Sequence, residues 1–134
     1  MAYNTIAELE ERYTADEIKE LSSLTTGGAR DDDVVEQAIA DADSEIDGYL
    51  STRYDTPIAA SSLPEIVKKL SAVIAYLNLN HRRNIWTEEL EAQRAWADKL
   101  LKNIASGVMV LAITDTSETG TGRVLIDSED ARGW

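Results

Sequence analysis

Apolar residues return every three or four positions along most of this chain, the spacing that puts them on one face of a helix. The clearest stripe is Val35, Ala38, Ile39, Ala42, Ile46, Tyr49 and Leu50. It predicts a helix capped by Asp32 or Asp33 and running to about Arg53, with acids in its first turn where the helix dipole favours them. Gly48 weakens that helix by about 1 kcal/mol against Ala and is expected to admit a close helix contact. Pro57 stops any continuation, and residues 59–62 read as a connecting loop. Pro64 suits the first turn of the next helix, whose stripe is Ile66, Val67, Leu70, Val73, Ile74 and Leu77 and whose end falls near residues 81–84. Thr87 caps another, with Leu90, Ala97, Leu100, Leu101 and Ile104 facing inward, Lys99 and Lys102 near its C-terminal end, and Gly107 as its stop.

Upstream, Thr5 with Glu8 has the spacing of a capping box, and Thr14 with Glu17 repeats it. Two short helices follow, at residues 6–13 and 15–22, burying Ile6, Leu9, Ile18 and Leu21. Glycines and polar residues make 25–30 a loop. Downstream of Gly107 the pattern changes. Val108 to Ile113 is apolar and partly β-branched, which suits a strand. Residues 114–122 are a polar linker, Arg123-Val124-Leu125-Ile126 is strand-like again, and the chain ends in Trp134. The expected architecture is mainly α: a bundle of two short and three longer helices over residues 1–107, then an extended arm over 108–134 able to form short strands. Apolar residues beyond a polar linker point to burial on another subunit, so Val108, Val110, Leu111, Ile113, Arg123, Val124, Leu125, Ile126, Arg132, Gly133 and Trp134 are the candidate interface.

Composition narrows the function. The chain has 134 residues, 43% hydrophobic and 28% charged, which is one globular domain. Phe is absent, leaving the core to Leu, Ile, Val and Ala. Without cysteine there is no disulfide, thiolate metal site or cysteine nucleophile. No signal peptide and no run long enough to span a bilayer is visible, so a soluble protein made in the cytoplasm and no membrane partner are expected. The net charge of −12 is uneven: residues 1–56 carry fifteen acids and four bases, residues 57–113 five acids and seven bases, and residues 114–134 five acids and two bases. So acidic a surface repels DNA, while the split between an acidic half and a mildly basic middle suits copies packing unlike ends together.

Candidate chemistry is sparse. The lone His81, beside Arg82 and Arg83, reads as cations at a helix end. Asp31-Asp32-Asp33 lacks the alternation and central glycine of a calcium loop and reads as a helix start. Asp41, Asp43, Glu45 and Asp47 form a dense run, but residues two apart on a helix point apart, so they read as a solvated face or channel wall rather than an acid–base pair. Asp43 and Asp47 share a face and are expected to pair with Arg53, Arg82 or Arg83. The glycine loops have no phosphate-binding lysine. Trp86 and Trp96 read as core or contact residues. No enzyme activity, metal or cofactor is expected.

Three segments in order resemble a known family. Met1-Ala2-Tyr3, Thr5-Ile6-Ala7-Glu8-Leu9 and Arg12-Tyr13 open the chain; residues 40–50, reading Ala-Asp-Ala-Asp-Ser-Glu-Ile-Asp-Gly-Tyr-Leu, with Arg53-Tyr54 and Pro57 are the most specific part; Arg123-Val124, Asp127-Ser128 and Ala131-Arg132-Gly133-Trp134 close it. Together they resemble the small neck protein of Mu-type phages and prophages, with Leu125-Ile126 in place of the expected aromatic. The resemblance implies a head–tail connector or head-completion protein of the virion neck. Such a protein forms a ring with copies of itself, meets the portal and tail or neck proteins, and lets DNA pass without binding it. An acidic DNA mimic acting on a DNA-binding partner is the alternative.

Overall fold

The computed structural model describes residues 2–23 and 28–111. It contains five helices: α1 (Ile6–Tyr13), α2 (Ala15–Ser22), α3 (Asp32–Leu50), α4 (Glu65–Arg82) and α5 (Glu88–Ser106), with a 3-10 turn at Ala60–Ser62 before α4. No strand occurs among the described residues. Val108–Leu111, expected as the first strand of the arm, is turn and irregular backbone, and Ala112 and Ile113 lie outside the described residues.

The helix starts are built as the local sequence requires. At α1 the Glu8 N–H donates to the Thr5 hydroxyl oxygen at 3.1 Å, and the Thr5 N–H donates to the Glu8 carboxylate at 2.9 Å, so two orphan donors are satisfied together. Thr14 is the single residue between α1 and α2: its N–H closes α1 on the Glu10 carbonyl while its hydroxyl caps α2 through Glu17. Asp31 caps α3 through the Val34 N–H, one residue earlier than expected. Its own N–H donates to Ser22 Oγ at 3.1 Å, which anchors that turn to α2, whereas Asp32 is engaged with Arg30. Helix α3 stops at Leu50 rather than Arg53, because the chain turns there to bury Tyr54. Pro64 is the N-cap of α4 and not its first helical residue.

Helices α3 and α4 run antiparallel as the central pair, with Asp43 bonded to Ser71 and the Ala38 carbonyl to Asn78. The short helices pack on this pair from one side. Helix α5 touches α3 and α4 but neither α1 nor α2, so it lies on the other side. The position of α4 between these groups explains why every residue from Leu70 to Ala75 is buried, a wider burial than its predicted stripe. Tyr76 of α4 stacks on Tyr13 of α1 with ring centroids 3.9 Å apart and bonds Glu17 of α2. Burial, reinforced by that carboxylate, pushes the Tyr76 phenol up to about 12.

The packed unit does not end at residue 107. Leu111 is 4% exposed within the main core, and its N–H donates to the Tyr54 hydroxyl at 3.0 Å.

Two glycines behave in opposite ways. Gly107 closes α5 with φ +87°, and an added Cβ would come within 2.9 Å of the Arg53 guanidinium. Gly48 faces open space, with nothing within 4 Å of an added Cβ, so the close helix contact expected there is not made. In urea unfolding, Gly107→Ala should lose about 1–2 kcal/mol, and Gly48→Ala should gain about 0.5–1 kcal/mol. Equal effects at the two sites would contradict the conformational argument.

Candidate assembly surfaces

The acidic run on α3 is the feature the fold changes most. Asp43 is only 7% exposed. One of its carboxylate oxygens accepts the Tyr3 N–H at 2.9 Å and the other the Ser71 hydroxyl at 2.7 Å. Tyr3 is itself buried; its hydroxyl donates to Asp47 and accepts the Ile58 N–H at 2.9 Å. Nearby, the Asn4 amide donates to the Lys68 carbonyl at 2.9 Å. Asp43 and Asp47 are therefore anchors for the N-terminal segment, and the expected solvated face is reduced to Asp41, exposed beside Gln37, and Glu45. Glu45 pairs with Arg94 of α5, which also holds Asp98 at 3.0 Å.

The expected pairing of Asp43 and Asp47 with Arg82 or Arg83 is not formed. Antiparallel packing brings the end of α4 to the end of α2, where Arg82 and Arg83 donate to the Leu21 and Ser23 carbonyls at 3.5 and 2.6 Å. Two cations thus serve the electronegative end of α2. Arg53 lies against Gly107 at the end of α5.

At the chain's exit from the bundle, Val108 and Val110 are 77% and 65% exposed, while Met109 packs against the core. Leu111 is removed from the candidate interface because its own bundle already buries it. Ile113, Arg123, Val124, Leu125, Ile126, Arg132, Gly133 and Trp134 lie outside the described residues.

A second apolar surface was not among the predicted interface residues. After α4 the chain reverses through Asn84, at φ +59°, and the Ile85 N–H returns to the Asn80 carbonyl at 2.9 Å. This turn presents Ile85 and Trp86, each 41% exposed. The Trp86 indole donates to Glu91 at 2.7 Å and meets the edge of His81, so it is held in place although uncovered. Trp96 is also exposed, with the Lys69 ammonium 5.1 Å from its ring centroid. Neither tryptophan belongs to the core; the sign in the sequence is that Trp86 precedes the Thr87 cap and Trp96 falls outside the α5 stripe.

A groove of about 770 Å³ runs between residues 2–7 and α3. Ile6, Ile39, Ala40 and Pro57 supply apolar lining, and Glu36 and Asp47 supply charge. Among the described residues no group of three or more His, Asp or Glu is placed to hold a metal ion, and no helix is long and apolar enough to cross a membrane.

Burial raises the Asp43 carboxyl above its ordinary range, against the opposing effect of its N–H and O–H donors. The native chain then holds that proton more tightly than the unfolded chain. The stabilisation from this group is full below the unfolded carboxylate value of about 3.9 and fades as pH rises through the folded one. Asp43→Asn removes the titration, so the unfolding free energy of wild type minus that of the variant should fall as pH rises above about 4. A flat or rising difference in urea titrations would show that Asp43 is not the group responsible.

Comparison with known proteins supports the Mu-type phage part of the motif reading. The family described as Bacteriophage Mu, Gp36 matches residues 3–125. Gene product J of Escherichia phage Mu is 34% identical over 108 residues, covering 80% of this chain and 74% of that protein. The Mu-like prophage FluMu protein gp36 of Haemophilus influenzae is 28% identical over 108 residues, covering 81% of this chain and 74% of that protein. The match includes Tyr3, Asp43, Asp47 and the α4–α5 turn, and the chain belongs to the Bacteriophage Mu Gp36 family of phage proteins.

Proposed function

We propose that this chain is a structural protein of the phage head–tail junction, one copy in a ring connector between portal and tail through which DNA passes. The observation that carries the reading is the pair of exposed valines at the bundle's exit. Val108 and Val110 stand uncovered at the start of a C-terminal region that also holds Val124, Leu125, Ile126 and Trp134. Full burial of a valine contributes about 1.5–3 kcal/mol, whereas an exposed ion pair contributes about 0–1 kcal/mol. Covering this region on a neighbouring copy, the portal, or a tail or neck protein is therefore the main source of affinity, and complementary charge supplies orientation. Membership of a phage family supports the setting, the neck of the virion. A net charge of −12 suits a wall past which DNA moves without sticking. The role requires no catalytic step and no cofactor.

The alternative, imitation of a DNA phosphate track, needs freely presented carboxylates. Asp43 is buried, Asp47 is bonded to Tyr3 and Glu45 is paired with Arg94, so the run from Asp41 to Asp47 offers one exposed acid, itself bonded to Gln37, and not a track.

Deleting residues 114–134 should leave a folded helical protein with an unchanged circular dichroism spectrum but abolish joining of heads to tails. Fully infectious particles from the truncated chain would refute the role of the arm, and absence of the full chain from imaged virion necks would refute the connector reading itself.

A further inference from the structure

The Ile85–Trp86 turn is apolar and open, and the groove beside α3 is open with Ile6, Ile39, Ala40 and Pro57 in its lining; the two share no residue. The turn joins α4 to α5 and is tied to α5 through Glu91. The groove is built from the N-terminal segment and the face of α3 that receives it. Neither Ile85 nor Trp86 reaches the groove of its own chain. A second copy can bring them together, turn of one to groove of the next.

Charge selects the same pairing. Beside the turn, the α4 end carries His81, Arg82 and Arg83, and the two arginines bond neutral carbonyl oxygens, which leaves their positive charge standing. The groove bears Glu36 and Asp47 and belongs to the acidic half of the chain, with fifteen acids against four bases. The α5 side of the turn is acidic, at Glu88, Glu89 and Glu91. The orientation that places the α4 side over the groove is thus the favourable one. The groove, at about 770 Å³, is large enough to admit the two side chains.

We infer that the Ile85–Trp86 turn of one copy docks into the groove between the N-terminal segment and α3 of the next, a head-to-tail contact between identical chains. Such a contact joins unlike patches and repeats from copy to copy, which is how rings close. It rests on the connector reading for its biological setting, but the contact itself is a property of the chain. Two residues and their surroundings cover less surface than the roughly 1,200 Å² of a stable complex. Free copies therefore meet briefly, and the contact is read by trapping it.

The absence of cysteine gives a clean background. Ala40→Cys in the groove and Ile85→Cys in the turn both replace exposed residues, so neither threatens the core. With a short bismaleimide, the full-length chain carrying both changes should give a ladder of covalent species beyond the dimer. Each single variant should stop at the dimer, and a mixture of the two should give the mixed dimer. Adding Trp86→Ser, which removes the aromatic anchor, should lower the yield of the ladder about tenfold. A double variant that yields no species beyond the dimer, or a ladder unchanged by Trp86→Ser, would overturn the inference. A ladder from a chain that is absent from virions would leave this contact standing and sink the connector reading. A chain present in the neck without the ladder would do the reverse.

Discussion

A single buried carboxylate organises the site-bearing side of this protein. An acid taken out of water is costly unless each oxygen finds a donor. Asp43 finds one in the backbone of Tyr3 and one in the hydroxyl of Ser71, so that its requirement holds three parts of the chain together: the N-terminal segment, α3 and α4. Tyr3 extends the arrangement, donating to Asp47 and accepting from Ile58, which fixes the loop after α3. The groove between residues 2–7 and α3 exists because these bonds hold the segment beside the helix at Asp43 and Asp47, both of which line it. A leucine at position 43 would fill space but direct nothing, since apolar contact has no preferred partner, whereas two oxygens facing two donors select one path for the incoming chain.

The second constraint is the layering. With α4 enclosed by α1 and α2 on one side, α5 on the other and α3 alongside, its surface is nearly spent on the interior. Open surfaces with apolar side chains are left to the margins: the N-terminal segment against α3, the reversal between α4 and α5, and the exit after Gly107. Each is irregular chain anchored to a rigid helix. The Ile85 N–H returns to Asn80, Leu111 is pinned to Tyr54, and Tyr3 is pinned to Asp43. Such margins can present apolar side chains without loosening the core, because the backbone bonds nearest to them are already made.

What could be read from the sequence is what depends on neighbours along the chain. The capping box at Thr5 and Glu8, the shared Thr14, the start at Thr87 and the stop at Gly107 are local arrangements of backbone donors and acceptors, and their positions follow from a few adjacent residues. The misreadings that bear on the site concern partners far along the chain. The spacing of Asp41, Asp43, Glu45 and Asp47 looks uniform, yet Asp43 and Asp47 are bonded to Tyr3, forty and more residues away, and Asp41 and Glu45 are not. Arg82 and Arg83 were matched to carboxylates by charge, but the register of α4 set them beside the carbonyls that end α2. Trp86 reads as core or contact from its place between two helices; which of the two holds depends on how the chain reverses at Asn84, and the reversal leaves it exposed. Leu111, placed in the arm because it follows a helix stop, is recovered by Tyr54, whose burial no periodic pattern announced.

Charge and small contact size together constrain how such a chain can assemble. Copies carrying −12 repel one another in free solution, and at physiological ionic strength that repulsion is damped beyond about 8 Å without vanishing at contact. A short-range apolar contact such as the Ile85–Trp86 turn therefore meets an opposing long-range force, and the balance shifts with local concentration. In the connector reading, a portal that holds several copies side by side raises the effective concentration without changing any contact, and joins that are weak in pairs become strong as a closed set. In that reading the same acidity that keeps free copies apart would also keep passing DNA off the assembled wall, so one property of the composition would serve both restraint before assembly and passage after it.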